Sequence, residues 1–99
     1  MLILLIIFFM KNNNIDKLFN FPCKFPIKVI GKDTNDFEGI IFKLIKKHIP
    51  LIHKNQFKYK SSSNKKYISV TITILATSKN QLDNIYLELN NHPLVLYTL

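Results

Sequence analysis

The clearest pattern in the chain runs from Tyr67 to Leu75. Ile68, Val70, Ile72 and Ile74 alternate there with Tyr67, Ser69, Thr71 and Thr73. A period of two with one apolar and one hydroxyl-rich set predicts a strand with one face in a core and the other solvated. Phe25 to Gly31 alternates in the same way, Phe25, Ile27 and Val29 against Pro26, Lys28 and Ile30, and ends on a glycine. Pro26 lies near the start of this strand, where a missing N–H matters least. Residues 55–60 set Phe57 and Tyr59 against lysines and predict an exposed or edge strand, followed by a polar turn over 61–66. A short apolar strand over Leu94 to Leu99 closes the chain.

Between these stretches the period changes to that of a helix. Phe37, Ile40, Ile41, Leu44, Ile45 and His48 recur at i, i+3, i+4, i+7, i+8 and i+11, behind an Asn35–Glu38 capping pair and ahead of Pro50. Ser78 and Gln81 form a second capping pair, opening a helix whose inward stripe is Leu82, Ile85, Tyr86 and Leu89 and which ends by Asn90, Asn91 and Pro93. Residues 14–19 allow one further helical turn before Phe21 and Pro22 stop it. The order strand, helix, strand, strand, helix, strand predicts an α+β class fold, a ferredoxin-like βαββαβ sandwich with a four-stranded antiparallel sheet and two helices on one face. The other face is then open, and Tyr67, Ser69, Thr71 and Thr73, with Lys28 nearby, are its candidate functional surface.

Length sharpens this picture, because 99 residues hold one domain with a modest core. The first nine, MLILLIIFF, carry no polar side chain. They lack the basic lead of a secretory signal and, even with Met10, amount to about half the ~20 residues that span a bilayer. The expectation is that residues 1–9 are an apolar extension ahead of a true start at Met10 and that 10–99 form a single domain; a membrane-surface anchor or an added apolar strand are the alternatives. All 14 basic residues are lysine, against six acids, for a net charge of +8. That excess points to an anionic partner, yet fourteen Lys, fifteen Ile and eleven Asn are also what A/T-rich codons produce.

Candidate chemistry is sparse. Cys23 has no second cysteine to pair with, which fits a reducing, cytoplasmic setting. His48, His53 and His92 show no metal-ligand spacing, and two glycines, Gly31 and Gly39, make no phosphate loop. Asp16, Asp33, Asp36, Glu38, Asp83 and Glu88 read as helix caps and solvated positions. Without arginine, the bidentate phosphate cradle that small phosphatases build on this fold is out of reach. These readings call for no catalytic residue, cofactor or metal.

Two segments go further than the fold. Phe21-Pro22-Cys23-Lys24-Phe25-Pro26-Ile27-Lys28-Val29-Ile30-Gly31 resembles the FPxxFxxKVxG opening of the YbeD-like family of small bacterial proteins of unknown function. Ser62 to Thr77 is similar to that family's SSxxxYxSVxITIxAT segment, and His48-Ile49-Pro50 and Gln81 to Leu89 match its two helix regions. The chain departs from the pattern at Lys65, where the family has a glycine, so a left-handed turn is either borne by Lys65 or shifted to Asn64. The resemblance covers Met10 to Leu99. It implies a fold similar to ACT-type regulatory modules, which bind small ligands or pair edge to edge, and carries over no site residue. Phe21 and Phe25 have a plain reading as anchors of the first strand. The expected function is a non-enzymatic regulatory or adaptor module of ACT-like type, binding a partner protein, a second copy or a small metabolite. The alternative is weak, nonspecific RNA binding through the basic surface, with Tyr67 the one aromatic residue expected on the central strands' open face. A peripheral membrane role rests on Met1 to Phe9 alone and is not expected.

Overall fold

The computed structural model describes residues 20–34 and 36–99. The expected extension over 1–9, the helical turn over 14–19 and the capping role of Asn35 lie outside the described residues. The elements are β1 (Cys23–Lys32), α1 (Phe37–His48), a 3₁₀ turn (Lys54–Gln56), β2 (Phe57–Ser61), β3 (Tyr67–Ala76), α2 (Lys79–Asn91) and β4 (Val95–Thr98). The strands form one antiparallel sheet in the order β2-β3-β1-β4, the expected ferredoxin-like arrangement.

The alternation read from the sequence becomes burial. Ile68, Val70, Ile72 and Ile74 of β3 and Ile27 and Val29 of β1 are buried, and each helix adds four buried residues to the same core. The ladder between β1 and β3 runs without interruption from Cys23↔Ala76 to Lys32↔Tyr67. A one-residue slip would turn β3's four core side chains to water, at a cost of roughly 6–12 kcal/mol. That is comparable to the whole stability of a small domain, about 5–15 kcal/mol.

Several boundaries differ from the sequence reading. β1 starts at Cys23, because backbone pairing with β3 extends through the Phe25–Pro26 region. β2 starts at Phe57, since Gln56 closes the preceding turn: its Oε1 accepts from the His53 N–H at 2.9 Å and its Nε2 donates to the Thr73 carbonyl at 3.0 Å. α1 has Asp36 at its N-cap position, and that side chain makes no capping hydrogen bond. The second cap forms as expected on one arm only. The Gln81 N–H donates to Ser78 Oγ at 3.1 Å, while Gln81 Oε1 accepts from the Thr77 N–H at 2.9 Å instead of from Ser78.

Phe21 and Phe25 pack against the core, Phe25 edge-on to Tyr86 with ring centroids 6.4 Å apart, in keeping with their reading as anchors. Tyr86 is buried, which pushes its phenol up to about 12, and its hydroxyl donates to the Leu99 carbonyl at 3.3 Å. Thr98 donates from Oγ1 to Asn90 Oδ1 at 3.3 Å, so α2 holds β4 in place.

Gly31 explains itself through its neighbours. A Cβ there would lie 2.2 Å from Phe37 Cε1 and 2.6 Å from the Leu94 carbonyl oxygen, so the first residue of α1 packs on bare backbone. At the hairpin, Lys65 itself takes the left-handed conformation, φ 57°, and the turn is not shifted to Asn64. Asn64 instead braces it, its Oδ1 accepting from Ser62 Oγ at 2.7 Å and from the Lys66 N–H at 3.2 Å.

Two substitutions follow from these geometries. Gly31→Ala is expected to lower stability by about 1–3 kcal/mol through overpacking against Phe37. Lys65→Gly is expected to raise it by roughly 0.5–1 kcal/mol, because only the native turn carries the penalty of a left-handed L-residue. Urea unfolding midpoints at unchanged slope measure both.

Candidate functional site

Every strand has one set of side chains in the core, so the second set forms the face away from the helices. The register assigns its members. Lys28 stands beside Thr71, Ile30 beside Ser69, Lys32 beside Tyr67 and Pro26 beside Thr73. From the other side, β2 sets Lys58 beside Thr71 and Lys60 beside Ser69. All five residues picked out by sequence, Lys28, Tyr67, Ser69, Thr71 and Thr73, lie on this one face, with Ser69 and Thr71 half-buried between their neighbours and the other three exposed.

β4 adds what the sequence did not disclose. Its pairing with β1 goes from Ile30↔Tyr97 to Gly31↔Val95, so Leu96 is an extra residue in a bulge. Val95 and Thr98 are buried while Leu96 and Tyr97 between them are half-exposed. Tyr97, opposite Ile30, therefore joins Tyr67 on the open face, and Tyr67 is not its one aromatic ring. Leu99 exchanges backbone hydrogen bonds with Lys28, at 2.7 and 3.1 Å, and extends the same row. Two rows thus cross the sheet: Lys58–Thr71–Lys28–Leu99 and Lys60–Ser69–Ile30–Tyr97.

Among the described strands, charge on this face has one sign. Lys24, Lys28, Lys32, Lys58 and Lys60 all project from it, and no strand contains an Asp or Glu. With strands about 4.8 Å apart, Lys28 and Lys58 lie about 10 Å from each other across Thr71. Like charges at that spacing raise the local potential without direct repulsive contact, and a counter-ion or an acidic partner gains from it. Between and beside the lysines stand half-exposed Tyr67, Tyr97, Leu75 and Leu99. A shallow cleft of about 190 Å³ lies at one end, between Ile30, Lys60, Tyr67 and Ser69.

The helical side offers a different group. A groove of about 540 Å³ runs between α1 and α2, floored by Ile40, Leu44 and Pro93. At it, Glu88 accepts from Lys47 Nζ at 2.8 Å through Oε1 and lies 3.1 Å from His48 Nε2 through Oε2. The Lys47 hydrogen bond, with a smaller contribution from His48, holds the Glu88 carboxyl below its ordinary range. Glu88 is thus a bridge between helices where the sequence read solvation; forty residues separate the partners, and no local pattern reports such a contact. Among the described residues no group of three or more His, Cys, Asp or Glu is arranged to hold a metal ion, and no helix is long and apolar enough to cross a membrane.

Comparison with known proteins places the chain. Residues 16–99 match the family described as "Protein of unknown function (DUF493)". A "UPF0250 protein" of Chromobacterium violaceum is 39% identical over 79 residues, covering 80% of this chain and 89% of the relative. One from Janthinobacterium sp. is 39% identical over 84 residues, 85% of this chain and 92% of the relative. One from Vesicomyosocius okutanii is 39% identical over 88 residues, 89% and 96%. No solved structure matches the chain. The chain belongs to this family of small bacterial proteins of unknown function, as the YbeD-like segments at Phe21–Gly31 and Ser62–Thr77 led us to expect.

The Glu88 bridge has a testable sign. A carboxyl whose folded pKa is depressed contributes stability above its ordinary unfolded range and loses it as pH falls through the lowered folded value. Glu88→Gln is therefore expected to cost less than about 1 kcal/mol near neutral pH, the bridge being largely solvated. The difference from the native chain should vanish on acidification below the normal carboxylate range, as thermal unfolding followed against pH would show.

Proposed function

We propose that this chain is a non-enzymatic regulatory or adaptor module of ACT-like type, acting in the cytoplasm by binding a partner protein through the open face of its sheet. The observation that carries the reading is the one-signed face: five lysines and no carboxylate from the four strands, around half-exposed Tyr67, Tyr97 and Leu99. Charge at this density attracts an acidic surface at long range, and the aromatic and aliphatic groups supply the desolvated contacts that make an interface hold. A lone, unpaired Cys23 is in keeping with a reducing compartment. A small metabolite is the less favoured ligand for this face, whose cleft of about 190 Å³ falls below the roughly 300 Å³ at which ligand pockets begin.

The placement of Tyr97 favours a second reading, weak RNA binding. Two exposed rings beside a row of lysines make the stacking and phosphate contacts that single strands use. Tyr97 stands on an edge strand, however, and the central strand β1 presents Ile30 where a second stacking ring is needed.

Photo-crosslinking separates the two. With the crosslinking residue at position 73, on the open face, the chain should capture a discrete protein from bacterial lysate, and with it at position 87, on α2, it should not. Lys28→Glu with Lys60→Glu should abolish the capture and leave thermal stability unchanged. Equal capture from both positions would refute the open-face reading. Oligouridylate binding that falls roughly tenfold in each of Tyr67→Ala and Tyr97→Ala, with a steep salt dependence, would favour RNA instead.

A further inference from the structure

We infer that the free edge of β2, with the groove between it and α1, docks an acidic extended segment of a partner protein as a fifth strand of the sheet. The inference rests on the reading that the chain works by binding a protein and adds an edge contact, with its own mode and chemistry, beside the open face.

Among the described residues the sheet has two edges with no further strand paired to them, and they differ. β4 spans four residues and is bulged at Leu96, which interrupts the regular row of backbone groups that another strand needs. β2 is paired with β3 in unbroken register from Phe57↔Ile72 to Ser61↔Ile68. The Ser62 N–H donates to the Tyr67 carbonyl at 2.8 Å, which fixes the phase of the ladder. In an antiparallel ladder the two directions alternate, so Lys58 and Lys60 turn their backbone groups toward β3. Tyr59 and Ser61 turn theirs outward. Among the described residues no hydrogen bond reaches the outward N–H and C=O of Tyr59 or Ser61. This is a template with the two-residue spacing that an added strand requires.

Side chains flanking the edge set the chemistry of what fits. A strand added there sends alternate residues to opposite faces. On the helical side they meet a groove of about 370 Å³ lined by Glu38, Gly39, Phe42, Lys43, Lys54 and Tyr59. The rings of Phe42, Phe57 and Tyr59 form a continuous aromatic wall there, with centroids 5.2 and 6.2 Å apart in sequence. On the open side the added residues meet Lys58 and Lys60. The carboxylates beside the edge, Glu38 in the groove and Asp33, which accepts from Ser61 Oγ at 3.0 Å, lie on the helical side. Lys58 and Lys60 on the open side therefore select a segment with acids there and apolar residues toward the groove.

The same lysines exclude a second copy. Two β2 strands paired antiparallel about Tyr59 would set Lys58 directly opposite Lys60 of the other chain, twice, and like charges in that position are destabilising. Edge lysines commonly block unwanted pairing. Here they reject a lysine-rich edge and admit an acidic one.

A fluorescein-labelled octapeptide of alternating Glu and Val is the probe, with a Glu-Pro octapeptide of equal charge that has half the backbone donors as its control. The full chain should bind the Glu-Val peptide, and affinity should fall roughly tenfold both for the Glu-Pro peptide and in Ser61→Pro. Ser61→Pro deletes an outward N–H that the β2–β3 ladder does not use. On binding, the amides of Tyr59 and Ser61 should become protected from hydrogen exchange. Should Ser61→Pro misfold, Lys58→Glu with Lys60→Glu gives a second route, since preference should switch to a Lys-Val octapeptide. Equal binding of the Glu-Val and Glu-Pro peptides, no binding of the Glu-Val peptide, or self-association through β2 in sedimentation would overturn the inference. Crosslinking from position 73 would still decide the open-face reading separately.

Discussion

The uninterrupted ladder between β1 and β3 determines most of what this molecule presents to solvent. Because side chains alternate strictly along a strand, fixing Ile27↔Ile72 and Val29↔Val70 in the core fixes Lys28 beside Thr71 and Ile30 beside Ser69 outside it. The core and the open face are two readings of one register. The free energy that disfavours a slip comes from buried Ile and Val, yet its consequence is the placement of lysines, hydroxyls and rings on the face turned away from that core. Gly31 belongs to the same constraint. Its bare backbone lets Phe37 seat α1 against the sheet, so that among the described residues both helices lie on one side.

How the edges end is a separate matter, decided locally. β4 is tied down from the helix side by Tyr86, Asn90 and Thr98, and the bulge lets it carry both Leu96 and Tyr97 away from the core. β2 is held to β3 and backed by the Phe42–Phe57–Tyr59 wall, and its outer backbone groups stay regular. A sheet with one irregular and one regular edge is asymmetric in what can add to it, even though both edges belong to one antiparallel layer.

Much of this was legible in the chain. The period-two runs at Phe25–Gly31 and Tyr67–Leu75 and the i, i+3, i+4 stripes of both helices mark the core, because each side chain's burial there depends on near neighbours in sequence. What escaped depends on residues far apart. Leu94 to Leu99 is apolar throughout, so no alternation shows which residues face out, and Tyr97's place is set by a bulge that exists only against Ile30 and Gly31. Lys58 and Lys60 read as edge lysines, but that they flank the hydroxyl row needs the β2–β3 register. Glu88 meets Lys47 and His48 across two helices, a contact with no local signature. The end caps fall between these cases: Ser78 and Gln81 share residues that predict a box, and tertiary geometry decided that Gln81 reaches Thr77 instead.

The absence of arginine bears on how such a surface can discriminate. Lysine is a compact, well-hydrated point charge on a flexible stem, without the planar fork that grips a carboxylate or phosphate in two places. A face built from lysine alone attracts anions strongly at low salt but orients them poorly, because each ammonium accepts many approach directions. Selectivity then has to come from elements with fixed geometry. In this fold those are the rings of Tyr67 and Tyr97, held by strands, and the backbone groups of Tyr59 and Ser61, spaced by the β2–β3 ladder. Ionic strength would tune how fast a partner arrives, and the fixed groups would decide which partner stays.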